Sequence, residues 1–234
     1  MDVLTLALVV VVVLLVLRAL PRVVVWVRLT GIRFRWPGVS LTGPGAFPPE
    51  LEPLWSDVAA RLEALGFRYH HAEWVEQMAV SEDTRPAMVF HEPETQAYAV
   101  VFPADSPSPH RAADVTFQTA FSDGEVIATF DDIEHRALAF PPGWDARDHH
   151  LDDLESQWAA HRDAVLARHE DYRPVYLEPS EFVLAAEQAL AETVAYLVRE
   201  GWAAPDPDGG PGPLRLTTGA AWHFAGSITA GQRR

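Results

Sequence analysis

The sequence predicts an α+β fold, a four- to five-stranded antiparallel meander flanked by helices, behind a single N-terminal transmembrane helix. Three observations carry that expectation. An almost unbroken apolar run opens the chain, helical spacing of apolar residues marks three later segments, and residues 67–130 alternate with period two.

From Val3 to Leu20 the chain is apolar apart from Thr5 and Arg18. At about 1.5 Å per residue such a run covers roughly 27 Å, close to the hydrocarbon thickness of a bilayer. A cleaved signal peptide needs positive charge before the run and a small-x-small site after it. Here Asp2 precedes the run and Arg18-Ala19-Leu20-Pro21-Arg22 ends it, so residues 1–21 are expected to remain as a membrane-spanning helix. Arg18, Arg22, Arg28, Arg33 and Arg35 lie at or beyond its C-terminal end. Positive charge is retained on the cytoplasmic side, which gives a single-pass protein of the cell (inner) membrane with its N-terminus outside and its C-terminal domain in the cytoplasm. Val23 to Val27, with Trp26, fit either an interfacial segment at the headgroups or a first strand of the domain.

Residues 22–49 form a juxtamembrane segment ending in WPGVSLTGPGAFPP, whose prolines and glycines predict a linker without regular structure. The α+β domain then spans residues 50–170. Leu51, Leu54, Trp55, Val58, Leu62 and Leu65 recur at helical spacing, with Gly66 placed as a C-cap. Candidate strands follow at 67–80, 86–91, 97–103, 113–121 and 125–130. Ser122-Asp123-Gly124 supplies a tight turn between the last two, and residues 91–96 a longer turn between the second and third. After Pro141-Pro142-Gly143 a second helix is expected, capped by Asp145 and carrying Leu151, Leu154, Trp158, His161 and Val165 on the side that packs on the sheet. Residues 171–234 hold a third helix from Ser180 to Glu200, a loop rich in proline and glycine, and a short strand at Leu214 to Thr217 that makes a short hairpin possible.

Composition removes several function classes. The chain of 234 residues has no cysteine, so disulfides, thiolate nucleophiles and cysteine zinc sites are out. Its 18 basic residues are all arginine, and the formal net charge is −15. Beyond residue 35 there remain 13 arginines against 32 acids, a balance of −19, which disfavours nucleic acid as a partner.

The residues that invite a chemical reading also have ordinary ones. His149 and His150 beside Asp152 and Asp153, with His161 and His169 further along, suggest a metal. Adjacent histidines on a helix point about 100° apart, however, and no HExxH-like spacing occurs. His161 on the apolar stripe is either an acid or base facing a pocket or a half-buried histidine bonded to a neighbour, and the spacing favours the second. Asp131-Asp132 and Asp152-Asp153 read as solvated acids rather than a catalytic pair. G-x-S-x-G, Walker and G-x-G-x-x-G motifs are absent. No residue is therefore assigned as catalytic, cofactor-binding or metal-binding, and no cofactor is implied.

Two resemblances follow from short motifs. The segment from Tyr196 to Trp202, with Leu214 to Gly219, is similar to the last helix and wing of winged-helix proteins, but Arg199 is the only basic residue in 178–200 beside five glutamates, which argues against DNA binding. Leu62 to Phe67, the hairpin Phe117 to Gly124 with Thr129, and the helix carrying Trp158 and His161 resemble a family of bacterial proteins without characterised activity. Its members often join such a domain to an N-terminal membrane helix. That resemblance implies architecture and no site.

Three functions fit these features. The first is a membrane-tethered interaction or scaffolding module, with the lipid bilayer and a protein as partners. The second is a membrane-bound, hydrolase-like enzyme with a pocket between the sheet and the helix of His161. It requires at least two of His161, His135, Glu134, Asp131 and Tyr98 to converge. The third is a domain for hydrophobic ligands, which requires a deep cavity lined by the aromatic residues without any titratable cluster.

Overall fold

The structure is a computed structural model that describes residues 18–31, 33–34, 38–76, 84–108, 111–130, 141–149, 151, 153–169, 172–205 and 214–231. Seven strands form its main sheet in the order β2-β3-β4-β5-β6-β7-β8: Val39–Thr42, Arg68–Glu76, Thr84–Glu92, Ala97–Ser108, Arg111–Ala120, Val126–Phe130 and Trp144–Asp148. Neighbours through β7 are antiparallel, whereas β8 lies parallel to β7, with Val126 opposite Trp144 and Phe130 opposite Asp148.

The central meander follows the sequence pattern. Pairing runs from Thr116 opposite Phe130 to Ala120 opposite Val126, and Gly124 takes a φ of 87° in the turn, a conformation that a side chain resists. Gly66, with φ 98°, ends helix α2 (Glu52–Ala64) where the C-cap is expected. Helix α3 (Leu154–His169) begins later than expected, because Asp153 caps it by accepting the Ser156 N–H at 2.7 Å. Asp145, the expected cap, lies instead in β8. Helix α4 (Pro179–Arg199) starts with a capping box between Glu178 and Glu181 rather than at Ser180.

These elements make three layers. On one face of the sheet, Trp55, Val58 and Leu62 of α2 and Leu154 and Trp158 of α3 pack against Phe67, Phe90 and Phe117. On the other face, Phe182 of α4 packs against Val89, Tyr98 and Val100. A smaller unit adjoins them: β1 (Arg33–Phe34), β10 (Leu214–Leu216) and β9 (Ala203–Pro205) form an antiparallel sheet in that order, so the expected strand near Leu214 does belong to a hairpin. Helix α5 (Thr218–Gly231) covers it, with Phe224 and Leu216 buried beside Trp26 and Trp202.

The fold differs from the expected one in three respects. The sheet has seven strands with one parallel pair, not four or five antiparallel ones, because two segments read as non-strand join it. Val39–Thr42, inside the expected linker, forms β2, with Val39 buried. Trp144–Asp148, read as the start of a helix, forms β8, with Trp144 and Ala146 two apart as a strand requires.

The third correction concerns the N-terminal transmembrane helix of residues 1–21. Residues 1–17 lie outside the described residues, and among the described residues no helix is long and apolar enough to cross a membrane. Residues 18–31, called α1 here, are helical through Pro21 and Val23 to Val27, so that stretch is not a strand. Arg22 and Trp26, expected at headgroup level, are engaged by protein. The Arg22 guanidinium lies 4.1 Å from the Trp222 ring centroid and donates to the Trp222 carbonyl at 3.0 Å, while Trp26 meets Trp222 edge to face at 6.0 Å. The assignment to an inner membrane as a single-pass protein rested on that helix and falls with it. The bilayer as partner loses the same support.

Candidate functional site

The three-layer arrangement fills one face of the sheet and leaves space on the other. On the filled face His161 is fully buried between the helix and the sheet. Its Nε2 lies 3.0 Å from Thr119 Oγ1 and its Nδ1 2.9 Å from Thr129 Oγ1, and burial pushes its pKa down to about 3. Gln157, one turn before it, donates to the Val115 and Thr129 carbonyls at 2.8 and 3.1 Å. These two polar side chains fasten α3 to β6 and β7, so His161 is a structural brace. Tyr98 stands on the opposite face, against Phe182. His161 and Tyr98 therefore do not meet, and Asp131, Glu134 and His135 lie outside the described residues. The pocket expected beside His161 is occupied by packed side chains.

The space lies between the sheet and α4, where a cavity of about 310 Å³ opens. Its floor is Val75, Val100, Phe102, Ala128 and Phe130 from β3, β5 and β7. Its roof is one stripe of α4, namely Phe182, Ala185, Ala186, Ala189, Leu190 and Thr193, with Trp144 at the β8 side and Val39 at the β2 side. The roof positions fall at i, i+3, i+4, i+7, i+8 and i+11, the apolar face of an amphipathic helix. Three of the six are alanines. That is the local cause of the cavity: the helix is held off the sheet by Phe182 at one end, and methyl groups do not fill the gap behind it.

Among the cavity-lining residues, Glu73 and Tyr98 are ionisable. The Tyr98 hydroxyl is already engaged, accepting the Leu177 N–H at 2.6 Å and donating to the Leu177 carbonyl at 3.1 Å, and burial raises its pKa to about 12. Glu73 is 3% exposed, and His71 Nε2 lies 3.2 Å from its Oε2. A chain of imidazoles leads outward from there. His70 and His71 face each other through their Nδ1 atoms at 2.6 Å, and the Tyr176 hydroxyl lies 3.4 Å from His70 Nε2. Consecutive residues of a strand normally point to opposite faces, but the β3–β4 register shifts between Tyr69 and His71. That bulge at His70 brings both rings to the Tyr98 side, where His70 also contacts His91. Burial, and after it the neighbouring His71 and His91, push His70 down to about 4. Burial lowers His91 too, and Gln96, whose Oε1 lies 3.0 Å from its Nε2, partly offsets the effect.

The sequence reading passed over His70, His71 and Glu73. One signal was present: within a strand, His71 and Glu73 are two apart and share a face. Of the other residues singled out, His149 and Asp153 are exposed, and His150, Asp152, Asp131 and Asp132 lie outside the described residues. Among the described residues no group of three or more histidine and acidic side chains is placed to hold a metal ion. An exposed apolar stripe of the kind an interaction module would use occurs on α1, where Leu20, Val24 and Val27 are 51, 44 and 56% exposed. Nothing in the structure shows what covers it.

Against families of proteins, curated proteins and solved structures alike, the chain finds no match, so the cavity and its polar wall are what the functional argument stands on.

Proposed function

We propose that the domain binds a small apolar molecule between its sheet and α4. One observation carries the reading: a cavity of about 310 Å³ whose walls are aliphatic and aromatic side chains, with few polar groups. Small-molecule sites share that character, being concave, mostly apolar and roughly 300 to 1,000 Å³ in volume. Protein interiors are otherwise close-packed. An apolar occupant gains about 25 cal/mol for each Å² of its surface that the walls remove from water.

The reading is tested with a series of uncharged alkyl probes of increasing chain length, displacing a fluorescent apolar dye from the full chain. Burying each methylene is worth about 0.8 kcal/mol, so Kd should fall roughly fourfold per added carbon until the cavity is full and then level off. Affinity that rises without a plateau, or no displacement at any length, refutes the reading.

A further inference from the structure

The cavity has an apolar interior and, in Glu73, a carboxylate on its wall, and the hydrogen bonding of that carboxylate is incomplete. His71 serves Oε2, whereas Oε1 has no hydrogen-bond partner among the described residues. Glu73 is 3% exposed and stands on the cavity wall, so Oε1 is within reach of an occupant of the cavity. The short contact between His70 Nδ1 and His71 Nδ1 holds one proton, and when His71 gives its Nε2–H to Glu73 the imidazole chain is complete out to Tyr176 without reaching Oε1.

Building on the apolar-ligand reading, we infer that Glu73 receives the head group of the ligand, and that this head is a hydrogen-bond donor, an alcohol or a protonated amine on an apolar body, and not an acid. Three observations fix the sign. The acidic group on the wall is an acceptor, and its polar neighbours there, Thr116, Gln118 and Thr193, are neutral. Among the described residues the lining contains no arginine to balance an anionic head. The chain carries a formal net charge of −15, which repels anions and attracts cations. A carboxylate ligand would place two like charges side by side in a medium that screens them poorly. Size sets the body: at about 30 Å³ for each water-sized unit, the cavity accommodates roughly ten such units.

The test uses three probes of one chain length, decylamine, 1-decanol and decanoate, each below its aggregation limit, with the full-length protein and with Glu73→Gln. The unmodified protein should bind decanol and decylamine at least tenfold more tightly than decanoate, the range expected for a hydrogen bond to a charged group. Glu73→Gln, nearly the same shape without the charge, should narrow that gap to within about threefold, chiefly by weakening the amine. Circular dichroism establishes that the variant is folded; if it is not, the ranking in the unmodified protein decides alone. Decanoate binding as well as the others, or a gap that survives Glu73→Gln in a folded protein, overturns the inference and leaves the cavity reading intact. Failure of all three probes removes both.

Discussion

The Tyr98 hydroxyl pairs with both main-chain groups of Leu177, taking its N–H at 2.6 Å and giving its own proton to the carbonyl at 3.1 Å. A side chain in the middle of the sheet thereby does for the segment before α4 what a neighbouring strand would do. It fixes where the roof of the cavity begins.

Tyr98→Phe keeps the ring against Phe182 and deletes the hydroxyl. Two half-buried backbone groups then lose their partner, and each unsatisfied group costs about 1 to 3 kcal/mol. Urea denaturation should show a loss in that range. Hydrogen exchange should place the greatest gain in opening at Leu177 and the first turn of α4.

Filling the cavity separates stability from binding. Ala186→Leu or Ala189→Leu adds apolar volume to the roof where the structure has space, and such substitutions commonly add about 0.5 to 2 kcal/mol. The midpoint of thermal unfolding should rise while affinity for the alkyl probes falls at least tenfold. A variant that is stabilised and still binds normally places the ligand elsewhere.

His161 predicts how stability responds to acid. Burial lowers its pKa from 6.5 to about 3, so between those values the unfolded chain takes up a proton that the folded chain refuses. Stability is independent of this group above pH 6.5 and falls as the pH drops from 6.5 toward 3, with a slope of about 1.4 kcal/mol per unit from this residue. His161→Gln should flatten the profile in that window, leaving a residual slope in the same direction from His70 and His91. Chemical denaturation at a series of pH values measures it. An unchanged profile removes His161 as the cause.

Arg22 joins α1 to α5 through a cation–π contact and a hydrogen bond, both to Trp222. Arg22→Ala should weaken this docking by about 1 to 2 kcal/mol. Amide exchange in residues 218–226 should accelerate, while affinity for the alkyl probes stays unchanged because none of these residues lines the cavity.

Much of this architecture is legible in the sequence where one physical signal dominates. The α2 helix shows because its apolar residues repeat at helical spacing and Gly66 ends it, and the β6–β7 hairpin shows because alternation and a tight turn agree. Strand β2 is hidden among prolines and glycines, and its place in the sheet is set by β3 rather than by its own pattern. In β8 the acids around Ala146 imitate a helix start, and only the pairing with β7 decides against it. Leu154, Trp158, His161 and Val165 are legible as one buried face of α3. What His161 does there depends on Thr119 and Thr129, more than thirty residues away on either measure. The cavity is harder still to foresee. Alanines on α4 look like ordinary core, and the emptiness above the sheet arises only from how two surfaces fail to match.

The main-chain N–H of Val39 at the outer side of β2 is taken at 3.0 Å by Glu187 Oε1, from the same helix that roofs the cavity. An unpaired edge strand is a template for a foreign chain, and a carboxylate seated on it blocks that approach. Helix α4 is thus also a guard against aggregation. Proteolytic loss of everything after Glu178 would bare an apolar sheet face and a free edge together, and light scattering should then find the fragment assembling through strand addition where the intact chain does not.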